Sequence, residues 1–249
     1  MKLRRSIHWD LYSRPDVYDT IFSWDPNIET RYIIKIMRRF LVENTNTFAL
    51  STLDIGCGTG RVAKKLLRYV RDVICLDLSL NMLLYISNDE IMRINADMLN
   101  IPIRDRSINV AYSLLATVNH VDTINELYHH LLEVHRVLKN NGMYIVDLVL
   151  ERPPCIGVCD EWDMKYLNME CTAKHVIESI RSDHFVEVLE LKCGNYVVIK
   201  SQDTLLLPKT GLFIDKAMNA GFREVIFLKS FTLKAMSSPQ GRTFAILIK

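Results

Sequence analysis

Residues 52–60 read TLDIGCGTG. The apolar run over residues 50–55 opens onto an amphipathic segment over residues 62–70, so the glycines stand where a buried strand turns into a helix. Gly56, Gly58 and Gly60 permit a sharp turn and let a ligand lie against bare main chain, with the N–H groups of the following helix directed at it. A dinucleotide fingerprint would place its third glycine one position later, where Arg61 stands. Asp54, two residues before the first glycine, suits a ligand with positive charge near the turn and would repel a pyrophosphate.

Working outward, residues 73–78 (VICLDL) form a second buried strand closing on Asp77, about 20 residues beyond Gly56, where an acid accepts both hydrogen bonds of a ribose diol. Ser79 is the better helix cap for the segment that follows. Residues 91–96 form a third strand ending in Asn95, Ala96, Asp97 and Met98. A fourth, over residues 108–115, leads into the tip that ends at His120, which belongs at the carboxyl edge of the sheet beside the glycine turn. His129, His130 and His135 lie on a helix over residues 123–139 whose buried face is Ile124, Leu127, Leu131, Val134 and Leu138, and read as solvated. Residues 140–142 end that helix, and residues 143–150 are a fifth strand.

Helix and strand alternate to this point and then stop alternating. After Pro153 and Pro154, residues 171–180, 185–191 and 196–207 read as successive antiparallel strands, too short a ribbon to stand alone, which must pack on the main domain or on a second copy. A helix over residues 210–219 and strands over 222–229 and 243–249 complete the chain. The fold class is α/β: a Rossmann-like, doubly wound, seven-stranded sheet from residues 1–150 and 209–249, with an antiparallel β insertion at 151–208. Upstream, residues 1–28 carry Trp9, Tyr12, Tyr18, Phe22 and Trp24, a helix-and-loop lid, followed by a helix over residues 29–41 that the NTNT stretch ends.

Composition narrows the classes. The chain has 249 residues, of which 49% are hydrophobic, enough for a sizeable core. No stretch approaches the ~20 apolar residues of a membrane helix, and MKLRRSIHWD lacks a signal-peptide core, so a cytoplasmic protein is expected. The net charge of +2 gives no basic footprint for nucleic acid; the clusters at residues 2–5 and 35–39 read as solvated charge. The six cysteines show no CxxC pair and read as reduced thiols; Cys155, Cys159 and Cys171 have only a loose zinc-like spacing, and no metal site is expected.

DxGxGxG after a strand resembles the first motif of class I methyltransferases, which bind S-adenosylmethionine, a sulfonium cation with an ammonium tail. With Asp77, the NADM turn, the His120 tip and a β insertion before LLLPKTGLFIDKAMNAGF, the chain is similar to small-molecule N-methyltransferases, most of all those acting on amino sugars. The resemblance implies adenosylmethionine as cofactor, held by Tyr18, Asp54, Gly56, Gly58, Gly60, Asp77, Leu78, Met82, Ala96, Asp97, Met98 and Leu114, with Asp97 on the adenine amine and Met98 on the ring face. It implies that Tyr12 and His120 flank a small-molecule acceptor as the catalytic pair, that Tyr12 and Tyr18 belong to a lid, and that the insertion serves the substrate pocket or a homodimer contact. Asp147 near the end of strand five faces the acceptor or pairs with a structural lysine. The absence of NPPY or DPPY after strand four speaks against base methylation in nucleic acid, and Leu206, Leu207 and Pro208 stand where the group commonly has LFT.

Overall fold

The computed structural model describes residues 9–41 and 46–249. The basic stretch at residues 2–5, the Trp9 side chain, and Asn44 and Thr45 of the NTNT stretch lie outside the described residues.

Strand β1 (Ser51–Ile55) is buried along its whole length because it is flanked on both sides and covered on both faces. It pairs in parallel with β2 (Asp72–Asp77) on one side and β4 (Ile108–Ser113) on the other. With β3 (Met92–Asn95), β5 (Leu138–Leu150), β10 (Glu224–Leu228) and β11 (Gly241–Ile248), these make a seven-stranded sheet in the order β10-β11-β5-β4-β1-β2-β3. Only β11 runs antiparallel to its neighbours. The chain leaves β1 for β2 and later returns to β1's other edge with β4, so a crevice opens between these strands at their carboxyl ends.

Apolar side chains cover both faces. Helices α3 (Asn27–Phe40) and α4 (Arg61–Leu66) bury Ile33, Ile36, Met37, Ala63 and Leu66 against one face. Helices α6 (Ile124–Val137) and α7 (Thr210–Asn219) bury Leu127, Leu131, Val134, Phe213 and Ala217 against the other. The short helix α5 (Leu80–Leu84) follows β2, its first turn capped by Ser79, whose side chain accepts from the Met82 N–H at 3.3 Å. No helix among the described residues is long and apolar enough to cross a membrane.

The insertion is a second sheet of four antiparallel strands: β6 (Gly157–Tyr166), β7 (Met169–Arg181), β8 (His184–Cys193) and β9 (Tyr196–Leu206). The sequence reading finds the last three and misses β6. Its run of acids breaks the apolar alternation, and pairing with β7, Trp162 opposite Ala173, supplies the structure that its composition does not announce. One face of this sheet packs on the main domain through α1 (Trp9–Tyr12) and α2 (Pro15–Ile21): Leu11, Val17 and Ile21 lie against Leu189, Leu191 and Ile199.

Two readings need correction. Four cysteines are paired, Cys171 with Cys193 and Cys155 with Cys159, leaving Cys57 and Cys75 free. Cys171 and Cys193 are directly opposed across β7 and β8 with Cα atoms 4.1 Å apart, a proximity set by strand register and hidden by their separation of 22 residues. Among the described residues no three His, Cys, Asp or Glu side chains gather in a metal-binding arrangement. Second, His130 is fully buried, its Nδ1 at 3.2 Å from the Met98 carbonyl and its Nε2 at 2.9 Å from the Tyr144 hydroxyl. It follows Leu127 by three residues and precedes Val134 by four, which puts it on the apolar face; burial takes its pKa down to about 4. His129 is exposed, and His135 is half-buried against Phe222.

Candidate active site

The glycine turn is built by backbone. Gly56 and Cys57 donate to the Leu76 carbonyl at 2.7 and 3.2 Å, tying the end of β1 to β2. Gly56, with φ +71°, lies so close to Thr117 that a Cβ there would overlap the threonine methyl group. Gly58 donates to Asp77 Oδ2 at 2.7 Å and Ser79 donates to Oδ1 at 2.8 Å, so Asp77 is fixed by the turn it faces. Gly60 caps α4 in the left-handed region and its missing Cβ faces Ile86.

These elements line a cleft at the carboxyl ends of β1, β2 and β3. Its walls bring together Tyr12, Tyr18, Gly56, Gly58, Asp77, Leu78, Ala96, Asp97, Met98 and His120 from the sequence reading, and add Leu76, Ser79, Leu115 and Thr117. Asp97 is held by the Leu99 N–H, which donates to its Oδ1 at 2.9 Å. Tyr18, Gly56, Leu115 and Thr117 also line a smaller adjoining pocket, which contains Asp54 and Leu114. Gly60 and Met82 line neither; Met82 is fully buried on the inner face of α5.

The smaller pocket holds two residues that the sequence reading did not assign. Arg61 and Glu29 reach it from α4 and α3, and Arg61 Nη1 and Glu29 Oε2 are both buried with no hydrogen-bond partner among the described residues. The other carboxylate oxygen of Glu29 accepts from Trp24 Nε1 at 2.6 Å, and the Arg61 guanidinium stacks at 4.9 Å over the Trp24 ring. Beside them Asp54 is buried, and the desolvation of its carboxylate raises its pKa to about 8. An unpartnered guanidinium nitrogen and an unpartnered carboxylate oxygen, with Asp54 beside them, fit the carboxylate and ammonium of an α-amino acid. Burial also raises the Asp77 pKa, and the Asp54 and Asp77 charges oppose one another, so a cation between them would be welcome to both. These residues fit adenosylmethionine: nucleoside in the larger cleft, amino-acid tail in the smaller.

The far end of the cleft is closed by Tyr12 and His120, with Tyr12 Oη 3.4 Å from His120 Nε2 and the rings edge to face at 5.9 Å. Burial lowers the His120 pKa, which keeps the imidazole neutral at pH 7, and raises the Tyr12 pKa, which keeps the phenol protonated. The N-terminal helices α1 and α2 are pinned at several points: Ser79 Oγ donates to the Tyr12 carbonyl at 2.7 Å, Thr59 Oγ1 to Asp19 at 2.5 Å, and the Tyr166 hydroxyl of β6 to Asp16 at 2.7 Å. His120 ends a 3₁₀ turn (Thr117–His120) that follows two left-handed residues, Leu115 at φ 52° and Ala116 at φ 55°. Asp147 holds this strained turn: it accepts from the Leu115 N–H at 3.0 Å and from Arg242 through Nη2 at 2.6 Å and Nε at 3.0 Å. Of the two readings of Asp147, the structure gives the ion pair, with an arginine in place of the expected lysine.

Residues 53–146 match the family model described as methyltransferase domain. The malonyl-[acyl-carrier protein] O-methyltransferase of Buchnera aphidicola subsp. Baizongia pistaciae is 32% identical over 120 residues, 47% of this chain and 47% of that protein. The chain spans about half the length of the curated relatives it matches. Among solved structures, the sugar N-methyltransferase KedS8 from Streptoalloteichus sp ATCC 53650 superposes with TM-score 0.73 at 16% identity, covering 100% of this chain and 95% of that one. CalS10, an amino pentose methyltransferase from Micromonospora echinaspora solved with S-adenosylmethionine bound, gives 0.70 at 14% identity over 93% and 94% of the two chains. The chain therefore has the class I S-adenosylmethionine-dependent methyltransferase fold, with Asp54, Asp77, Asp97 and His120 all inside the matched segment.

Proposed function

We propose that this chain is an S-adenosylmethionine-dependent methyltransferase that transfers a methyl group to a nitrogen or oxygen of a small-molecule acceptor. The observation that carries the reading is the pair of joined pockets, which offers Asp77 and Asp97 to a nucleoside and Arg61, Glu29 and Asp54 to an amino-acid tail. When bound, adenosylmethionine supplies a methyl group on a good leaving group, so the protein's work is alignment and exclusion of water. Positioning of this kind reaches roughly 7 to 11 kcal/mol in favourable cases. Tyr12 and Tyr18 roof the cleft, and neutral His120 receives or orients the acceptor's proton.

The small acceptor is favoured over RNA by the net charge of +2 and by the enclosed Tyr12–His120 end. The curated relative points to a second acceptor class, a carboxylate borne on a carrier protein. Release of S-adenosylhomocysteine across amines, phenols, sugars, carboxylates and short RNA separates these classes; release with RNA alone would end the small-molecule reading. The same proposal gives the inserted sheet a part in a homodimer contact, through exposed apolar residues on its edge strands such as Val158, Tyr196 and Val197. Sedimentation equilibrium, monomeric at high concentration, would remove that part.

A further inference from the structure

The buried face of the inserted sheet is apolar at both ends and charged in the middle. At one end Ala173, Leu189, Leu191 and Ile199 pack on Leu11 of α1. At the other Ile177, Phe185 and Leu205 pack with Val149 and Ala116, the residue that opens the His120 turn. Between the two clusters Glu187 of β8 stands directly opposite Asp203 of β9, and His175 of β7 reaches Glu187 with Nε2 to Oε1 at 2.5 Å. Directly opposed residues share a face, and the charges of both acids reach Tyr12 while that of Glu187 reaches His120, so this polar row lies near the place where Tyr12, next to Leu11, meets His120. β9 is also fastened to the His120 turn, because Asn119 Nδ2 donates to the Leu206 carbonyl at 2.7 Å.

Asp203 has only 6% of its surface exposed, and its Oδ1 is buried with no hydrogen-bond partner among the described residues, while Ser201 serves the carboxyl group by its hydroxyl. A buried carboxylate beside a second one is a costly arrangement that protein packing alone does not call for. His175 and, at longer range, Arg242 offset the charge of Glu187, whereas no ion pair reaches Asp203 among the described residues. Asp203 is therefore the acid of the row that a bound cation would serve.

We propose that Glu187 and Asp203 form the acceptor-recognition site, holding the ammonium group of an amine substrate beneath Tyr12 and His120. This deepens the methyltransferase reading and rests on it. With His120 orienting the nitrogen, the ammonium gives a proton to the Asp203 carboxylate; the nitrogen lone pair then bonds to the methyl carbon as the carbon–sulfur bond breaks and its electron pair goes to sulfur. The sulfonium becomes a neutral thioether, the product leaves as a methylated ammonium, and Asp203 returns its proton to water. Both acids are close enough to Tyr12 for their charges to raise its pKa, and Asp203 itself is raised to about 7 by burial and by Glu187, a value suited to accepting a proton near neutrality. An anionic acceptor would meet repulsion here, which separates this chain from its carrier-protein relative.

The test uses the full chain, with S-adenosylhomocysteine release measured on a panel of primary alkylamines, diamines, amino sugars, phenols and carboxylic acids, and adenosylmethionine affinity measured by calorimetry. Amines are the acceptors, and in Asp203→Asn kcat/KM for the amine falls at least ~30-fold while adenosylmethionine affinity stays within about twofold. The same substitution removes an unpaired buried charge, so its melting temperature is equal to or above that of the unsubstituted protein. Should Asp203→Asn fail to fold, Glu187→Gln is read in its place, with the same loss of amine turnover expected. Turnover confined to phenols or carboxylic acids, or amine turnover untouched by either substitution, overturns the inference and leaves the methyltransferase reading standing. Absence of adenosylmethionine binding overturns both.

Discussion

Replacing Gly56 by alanine probes the contact on which the cleft's geometry depends. A Cβ at this position would overlap the Thr117 methyl group and approach Thr117 Oγ1 to 2.9 Å and its Cβ to 3.1 Å. Neither side is free to yield: Gly56 donates to the Leu76 carbonyl at 2.7 Å, and Thr117 Oγ1 donates to the Leu114 carbonyl at 2.8 Å. The φ of +71° adds left-handed strain of roughly 1–2 kcal/mol, and overpacking adds about 1–3 kcal/mol, for an expected loss of about 2–5 kcal/mol. Thr117→Ala removes the atoms that clash. In a double-mutant cycle followed by urea denaturation, the pair Gly56→Ala/Thr117→Ala should recover the overpacking share and keep the strain, giving a coupling of about 1–3 kcal/mol. Because the Thr117 turn carries His120, the single variant should also lose methyl transfer beyond its loss of stability. Additive effects of the two substitutions, or a Gly56→Ala cost below about 1 kcal/mol, would refute the close approach as the organising contact.

Arg242→Met leaves Asp147, with 1% of its side chain exposed, as an uncompensated buried charge; the loss should be about 2–4 kcal/mol, below the ~3–5 of a fully buried pair because Arg242 is 40% exposed, and a loss under 1 in urea denaturation would contradict the latch. Asp54, with its folded pKa raised to about 8 against roughly 3.9 unfolded, keeps its proton in the folded state between those values, so its contribution to stability falls as pH rises from about 4 to 8. A bound cation favours the ionised form, so adenosylmethionine binding near pH 7 should release protons and tighten from pH 6 to 8, with Asp77 acting in the same direction; calorimetry in buffers of different ionisation enthalpy reads this, and an unchanged proton count in Asp54→Asn would contradict it. His120→Ala should lower turnover by about 10²-fold with cofactor affinity unchanged, because the imidazole orients the acceptor nitrogen, and wild-type turnover in the variant retires that role.

Local pattern carried most of the fold. The glycine turn, the strands closing on Asp77 and Asp97, and the break in alternation at Pro153 and Pro154 are each written in a few neighbouring residues, and together they specify strand order through the rules of parallel connection. What escaped was long-range pairing. β6 is a strand because β7 is beside it, Cys171 meets Cys193 through register, and the Glu187–Asp203 row exists only once β8 and β9 are aligned. Arg61 was read only as the residue that spoils a dinucleotide fingerprint, although its place at the start of α4 put its guanidinium within reach of the glycine turn. Glu29 stands three and four residues before the buried Tyr32 and Ile33, so helical spacing puts it on the inner face of α3, a signal that was passed over. His130 could have been placed by helical spacing alone, from Leu127 and Val134 on either side of it.

The account's central claim is that joined pockets at the carboxyl ends of β1, β2 and β3 grip one nucleoside-bearing cation. Isothermal titration of the protein with S-adenosylmethionine tests it most directly. Saturable binding with one site per chain is expected, weakened at least ~10-fold in Asp77→Ala, where the carboxylate that faces the glycine turn is gone. No heat of binding at millimolar ligand, or equal affinity in Asp77→Ala, would contradict it.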